Sequence, residues 1–268
     1  MNLLVTLNAN YLSPLRVMLW SLFFQHPEVS FNIYVMHTTL TPEEIEALHL
    51  YIERFGHQVH EVKIEADAFQ DAPILMHYSK EMYYRLLAFK FLPETLDKIL
   101  YLDPDILVIN RVDGLYNLPL NDYLYAAAHH RAPGSKEINQ LRLNAYEMEV
   151  YYNSGVLLMN LEKQRREVVE SEIYAFVQKN KNRLILPDQD VLNVVYCKRI
   201  QTVEEVQYNY DARYFNYYKL FSNGEYTMDY VMKHTAILHF CGKKKPWHKG
   251  YTGKFHALYK HYEALASR

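Results

Sequence analysis

Two aspartates separated by one proline carry the sharpest chemical signal in this chain. In Tyr101-Leu102-Asp103-Pro104-Asp105-Ile106-Leu107-Val108 they follow one apolar run and precede another. In extended backbone, residues i and i+2 point to the same side, so both carboxylates can meet on one cation. Oxygen donors of this kind favour Mg2+, Ca2+ or Mn2+ over softer ions. Turns also use Asp freely, so the pair alone leaves a metal site and ordinary turn chemistry both open. The apolar flanks weigh toward the metal, because charges bracketed by buried strands need a partner.

Three further clusters have chemical content. Ala236-Ile237-Leu238 leads into His239, followed by Gly242, the triplet Lys243-Lys244-Lys245 and Trp247. A histidine at a strand end is a common third ligand beside carboxylates, and a nearby lysine can neutralise a phosphate. A basic surface loop with a core-edge histidine is the plainer alternative. In Tyr152-Asn153-Ser154-Gly155-Val156, a glycine inside a strand pattern marks a bulge or the close approach of a ligand. Pro187-Asp188-Gln189-Asp190 is a polar run at a helix start, with acids suited to the N-terminal dipole.

The elements that must position these residues alternate. Strand patterns at Leu3–Leu7, Phe31–Met36, Gln58–Ile64 and Lys98–Leu102 are separated by helical ones. Ser13-Pro14 opens a helix running to about Phe24, with Ser as its cap. Thr41-Pro42-Glu43-Glu44 is a capping box with proline at the first helical position, and Gly56 ends that helix. Ser79 caps a helix that carries Tyr84 and Arg85. Further on, Tyr123–Ala128 and Val156–Met159 read as strands and Leu161–Lys179 as one amphipathic helix. Such alternation predicts an α/β fold, a Rossmann-like, mainly parallel sheet with helices on both faces. Ligands then sit beyond the carboxyl ends of the strands. The expected organisation is a single domain over residues 1–268, with about 205–268 folding back on the sheet.

Composition excludes several classes. The 268 residues carry 29 basic and 31 acidic side chains, a formal charge of −2. That gives no strongly basic face of the kind nucleic acid requires; Arg165-Arg166 and the lysine triplet are short exceptions. Only eight glycines occur, in no GxGxxG or Walker A arrangement, so any bound phosphate must be held otherwise. The 25 tyrosines offer apolar bodies with polar tips, suited to core edges and to clefts for sugars or nucleosides. Cys197 and Cys241 form no CxxC pair and no disulfide framework. The N-terminus lacks a basic region and cleavage site, and no apolar run approaches 18 residues. The expectation is a soluble, cytoplasmic protein.

Taken in order, the motifs resemble the family 8 glycosyltransferases, retaining nucleotide-sugar enzymes that include bacterial lipopolysaccharide galactosyl- and glucosyltransferases and glycogenin. The signatures are Asn8-Ala9-Asn10-Tyr11, Tyr84-Arg85, Asp103-Pro104-Asp105, Asn153-Ser154-Gly155-Val156, Asp188-Gln189-Asp190, and His239-Phe240-Cys241-Gly242 with Lys245-Pro246-Trp247. They span residues 3 to 250. The resemblance implies a GT-A fold and transfer of galactose or glucose from a UDP-sugar to a glycan or glycolipid acceptor. It also implies Mn2+, with Mg2+ as the alternative, ligated by Asp103, Asp105 and His239 across Pro104. Asn8, Asn10 and Tyr11 would hold uridine and ribose, and Gly242 and Lys245 the phosphates. Arg85, Asp188 and Gln189 would contact or orient the sugar, with Asn153 beside it on the acceptor side. Asp188, Gln189 and Asn153 are thus the implied catalytic set. A nucleophilic role for Gln189 or Asp188 stays open beside attack by the acceptor from the leaving-group face, which is the expected course.

Two positions depart from the family pattern. Asn8 stands where many relatives carry Asp, which bears on uracil or ribose recognition. The chain also stops at Arg268, where lipopolysaccharide enzymes of this type often extend into a basic, aromatic tail. Lys254–Tyr262 is cationic and aromatic, which suits either a terminal helix or a weak contact with the inner face of a membrane. Acceptor contacts are expected from residues 74–79 and 129–151. The competing functions are a nucleotide-sugar- or glycan-binding protein without turnover and a metal-dependent phosphoesterase or nuclease, since DxD with His also suits hydrolysis.

Overall fold

The computed structural model describes residues 1–65, 68–69, 82–129 and 135–268. Among the described residues, seven of ten strands form one sheet: β1 (Asn2–Thr6), β2 (Asn32–His37), β3 (Gln58–Lys63), β4 (Lys98–Leu102), β6 (Tyr125–Ala127), β7 (Val156–Asn160) and β8 (Ile200–Thr202), in the order β3-β2-β1-β4-β7-β6-β8. Every neighbouring pair is parallel except the two made by β7, which runs against β4 and β6. Both faces are buried across the inner strands, whereas the edge strand β3 has no fully buried residue. Leu4, Tyr34, Tyr101 and Leu157 face one apolar layer, and Leu3, Val5, Ile33, Leu100, Leu102 and Leu158 the other. Burial on both sides is why these strands read as continuous apolar runs.

A second sheet of three short strands, β5 (Ile106–Val108), β10 (Ile237–His239) and β9 (Tyr210–Asp211), has β10 at its centre. The chain passes from the large sheet to the small one at Asp103-Pro104-Asp105. That tripeptide is therefore a turn, not the extended segment whose i, i+2 geometry the sequence suggested. The carboxylates still converge, because the turn is clamped on both sides. Asp103 N donates to Gly155 O at 2.8 Å, and Phe240 N donates to Asp105 O at 3.0 Å.

The Thr41 capping box and the Gly56 helix end are as the sequence indicates. Thr41 accepts from Glu44 N while Glu44 accepts from Thr41 N, and Gly56 takes φ +78° after that helix. Two helix readings change. The first helix is Leu12–Gln25, and Ser13 lies inside it rather than capping it. Asn8 has taken the capping role one turn earlier, accepting from Asn10 N at 3.1 Å over a 3-10 turn at Ala9–Tyr11. Pro14 is tolerated in the first helical turn because those N–H groups have no intrahelical acceptor. The predicted helix 161–179 is two, Leu161–Glu167 and Glu170–Asn180, because Val168 and Val169 are extended, the conformation β-branched residues favour. The Ser79 cap, the acceptor segment 74–79 and residues 130–134 of the segment 129–151 lie outside the described residues.

The C-terminal helix, His256–Ala266, packs on the first one: Gln25 donates to the Tyr262 hydroxyl at 3.3 Å, and the Tyr262 ring meets Trp20 edge-on. Phe255, Tyr259 and Tyr262 are buried, the first two against Tyr210, Phe215, Phe240 and Trp247. Among the described residues no helix is long and apolar enough to cross a membrane.

Candidate active site

The strand register brings the chemistry together. β10 runs antiparallel to β5 with His239 opposite Ile106, which places the imidazole beside Asp105. One ligand atom each from Asp103, Asp105 and His239 lies within 4.8 Å of the others. His239 Nε2 is 3.2 Å from Asp105 Oδ1 and 3.8 Å from Asp103 Oδ2. Asn209 orients the ring: its Oδ1 is 2.8 Å from His239 Nδ1, while its Nδ2 donates to Asn153 Oδ1 at 2.9 Å. With the amide fixed that way round, Nδ1–H must donate, and in the neutral ring the lone pair of Nε2 faces the carboxylates. Gly155 makes room for this. A Cβ there would stand 2.3 Å from His239 Cε1 and 2.6 Å from Asp103 Oδ2.

The charges are tightly balanced. Asp105 is buried and takes a contact from the Lys245 ammonium, which also donates to Phe240 O at 2.9 Å. Burial alone would raise the Asp105 carboxyl, but His239 and Lys245 beside it hold it well below the usual carboxylate range. Burial likewise opposes charging of His239, yet Cys241 and Asp105 raise it well above the ordinary imidazole value. Asp105 Oδ1 is enclosed and, apart from the His239 Nε2 contact at 3.2 Å, has no hydrogen-bond partner among the described residues. Asp103 accepts from the Tyr101 hydroxyl at 2.5 Å and pairs with Arg85 Nη1 at 3.2 Å. Arg85 lies over the Tyr101 ring, reaches Asp188 through Nε at 3.1 Å and donates to Ser154 O at 2.9 Å.

A cleft of about 500 Å³ opens on this cluster, lined also by Asn153, Asp188, Gln189, Arg213 and Lys243. Its polar wall is preorganised. Gln189 Oε1 accepts from Ser154 N at 3.1 Å and Asn153 Nδ2 at 3.3 Å, and Asn153 Oδ1 accepts from Gly155 N at 2.8 Å. Asp190 turns away from the cleft. Arg142 grips it through both terminal nitrogens, Tyr151 donates to it, and it accepts from Ile185 N and Leu186 N. Its work is to anchor the start of the helix Pro187–Val195, so that Asp188 and Gln189 face inward.

The structure thus groups Arg85, Asp103, Asp105, Asn153, Asp188, Gln189, His239 and Gly242 in one cleft. Pro104 is buried in the turn between the two aspartates. Lys245 reaches Asp105 from behind rather than facing the cleft. Asn8, Asn10 and Tyr11 follow β1 and do not line the cleft, although Tyr11 meets Trp247 edge-on at 5.9 Å, which joins the first motif to the last. Asn209 and Arg213 were not singled out in the sequence. Neither stands in a recognisable pattern, and Asn209 acts through contacts with residues 30 and 56 positions away.

Comparison with known proteins agrees with this geometry. Residues 2–250 match the model of glycosyl transferase family 8. The chain is 26% identical over 258 residues to lipopolysaccharide 1,2-glucosyltransferase of Escherichia coli K12, covering 93% of this chain and 73% of that protein. It is 24% identical over 261 residues to general stress protein A of Bacillus subtilis, covering 95% and 88%. Among solved structures, galactosyltransferase LgtC in complex with donor and acceptor sugar analogues superposes with a TM-score of 0.82 at 22% identity, covering 99% of this chain and 96% of that one. At that identity the likeness speaks for the fold, which is GT-A.

Proposed function

The chain belongs to glycosyltransferase family 8, and from that premise we propose that it transfers a hexose, galactose or glucose, from a UDP-sugar to a glycan or glycolipid acceptor with retention at the anomeric carbon. The observation that carries this reading is the Asp103, Asp105 and His239 cluster, set in a cleft just beyond the carboxyl end of β4. Two carboxylates and one imidazole suit Mn2+, and Mg2+ less well. The enclosed Oδ1 of Asp105 is the acceptor such a cation would satisfy. When bound, the ion offsets the negative charge that collects on the diphosphate as the sugar departs.

The other residues position and screen. The Gln189 carbonyl oxygen is committed to Ser154 N–H and the Asn153 amide, and Asp188 is paired with Arg85. Neither is a free nucleophile, which favours attack by the acceptor hydroxyl on the leaving-group face. Asn153 and Gln189, held by each other, define the wall against which the sugar is oriented.

Lys245 has two roles in this reading. In the unliganded protein its ammonium neutralises Asp105; to serve the phosphates of a bound donor it would turn from Asp105 toward the cleft. Replacing Lys245 by Met should therefore tighten Mn2+ binding to the nucleotide-free protein about tenfold, because a competing cation is gone. The same variant should weaken UDP binding in the presence of Mn2+. Mn2+ titration by electron paramagnetic resonance reads the first effect. Weaker Mn2+ binding in the variant would show that Lys245 supports the carboxylate instead of competing for it.

The reading itself is tested by thermal unfolding with UDP, with and without Mn2+. A ligand at ~100 times its Kd adds about 2.7 kcal/mol, a shift of several degrees at roughly 2–4 °C per kcal/mol for a chain of this size. A shift that needs both components is the expected result. A shift with another nucleotide but not UDP would trace to Asn8, and no shift with any nucleotide overturns the assignment. Binding without sugar transfer or donor hydrolysis on prolonged incubation would mark a binding protein without turnover.

A further inference from the structure

A second cavity, of about 490 Å³, adjoins the active-site cleft and shares Arg213, Cys241, Gly242 and Lys243 with it. Gly242 has no side chain to wall one from the other. With φ +85° it brings the backbone so close to Arg213 that a Cβ would stand 2.6 Å from Nη1. Beyond this boundary the cavity adds Lys244 and Lys254, with Tyr251 at its side and no acidic residue among the described residues that line it. Asp211, behind it, is buried and already neutralised by Arg213, whose Nε and Nη2 reach it at 2.9 and 2.6 Å. Lys243, Lys244 and Lys254 are left as three positive charges with no ion-pair partner among the described residues. The Lys254 ammonium instead lies 5.5 Å from the Phe215 ring centre. In a chain of net charge −2 this is a local concentration of one sign in a concave, partly aromatic site. In the neighbouring cleft, by contrast, acids and bases are matched.

We propose that this cavity is a subsite for a phosphate group carried by the acceptor. Lys243, Lys244 and Lys254 would hold the dianion while an acceptor hydroxyl reaches the donor sugar next door. Three ammonium groups on flexible stems suit a phosphate as point charges. The donor's own phosphates belong with the aspartate–histidine cluster, and none of those three residues lines the second cavity. The proposal rests on the glycosyltransferase reading. A phosphorylated sugar, as a dianionic monoester, and a phospholipid headgroup, as a monoanionic diester, both present anionic phosphate oxygens to such a site.

Backbone amide spectra of the full chain, saturated with UDP and Mg2+ and titrated with inorganic phosphate, test it. The amides of residues 241–244 and 251–254 should shift. In the Lys244→Ser, Lys254→Ser double variant the phosphate affinity should fall about tenfold while UDP affinity stays unchanged. Absence of shifts at these amides up to ~10 mM phosphate, or equal affinity in the double variant, overturns the subsite. If UDP does not bind, the functional reading fails, and the phosphate titration still decides the subsite by itself. Glucose 6-phosphate acting on the same amides without vesicle binding assigns the phosphate to a glycan. Lysine-dependent sedimentation with phosphatidylglycerol-containing vesicles, and not with phosphatidylcholine alone, assigns it to a lipid headgroup.

Discussion

Asn in place of Asp105 should lower transfer from a UDP-hexose by about a thousandfold or more. The substitution keeps the shape of the side chain and removes its charge, so it separates electrostatics from packing. Asp105 faces His239 on one oxygen and Lys245 on the other, and without the carboxylate a divalent cation loses the more buried of its two acidic ligands. Some stability should go as well. Breaking a buried pair costs about 3–5 kcal/mol when the orphaned charge is trapped. Here Lys245 keeps a solvent edge, 9% exposed, and His239 can become neutral, so a cost of about 1–3 kcal/mol is expected, still within the reserve of an ordinary domain. Activity measured well below the melting temperature, with circular dichroism as the control for folding, decides the matter. Unchanged metal-dependent transfer in a folded Asp105→Asn protein overturns the metal assignment.

Gly155→Ala is the second large effect, and it acts without touching a charged group. The added methyl would press on His239 Cε1 and Asp103 Oδ2 together. Neither neighbour yields cheaply. His239 is buried and tethered through Nδ1 to Asn209, and Asp103 is held by Tyr101 and Arg85. The two candidate ligands must therefore spread. A disturbance of ligand placement of this order typically costs 10–100-fold in metal affinity, with about 1–3 kcal/mol of overpacking in stability. Mn2+ titration of the variant should show the affinity loss even before any donor is added. Wild-type Mn2+ affinity would mean that the cation is held away from this glycine.

The legible and illegible parts of the site differ in kind. Asp103 and Asp105 announced themselves because acids between apolar runs are expensive unless partnered. The reason first offered for their convergence, extended backbone, is not the one the molecule uses: a turn clamped by Gly155 and Phe240 does the work. In Pro187-Asp188-Gln189-Asp190 the sequence could name a helix start, and the structure divides the labour, with Asp188 and Gln189 in the cleft and Asp190 as the anchor. Asn209, which orients the ring of His239, carries no sequence signal, because an Asn acting through tertiary hydrogen bonds to distant residues looks like any other Asn in the sequence. Ser-Pro at residues 13–14 is a frequent helix start signal, yet Ser13 lies inside the helix because Asn8, a few residues upstream, satisfies the backbone first.

By itself the sequence determined the alternation of strand and helix, the double-sided burial of the sheet and the supply of ligands of the right hardness. These are properties of single residues and of short-range periodicity, which a linear chain carries openly. Only the tertiary structure decided who meets whom. It placed Lys245 on Asp105 across 140 positions, His239 opposite Ile106 through the β5–β10 register, and Arg85 between Asp103 and Asp188. The reason is physical. Register and side-chain pairing depend on how two apolar layers pack and which buried charges find partners, and both are settled only when distant segments compete for the same space.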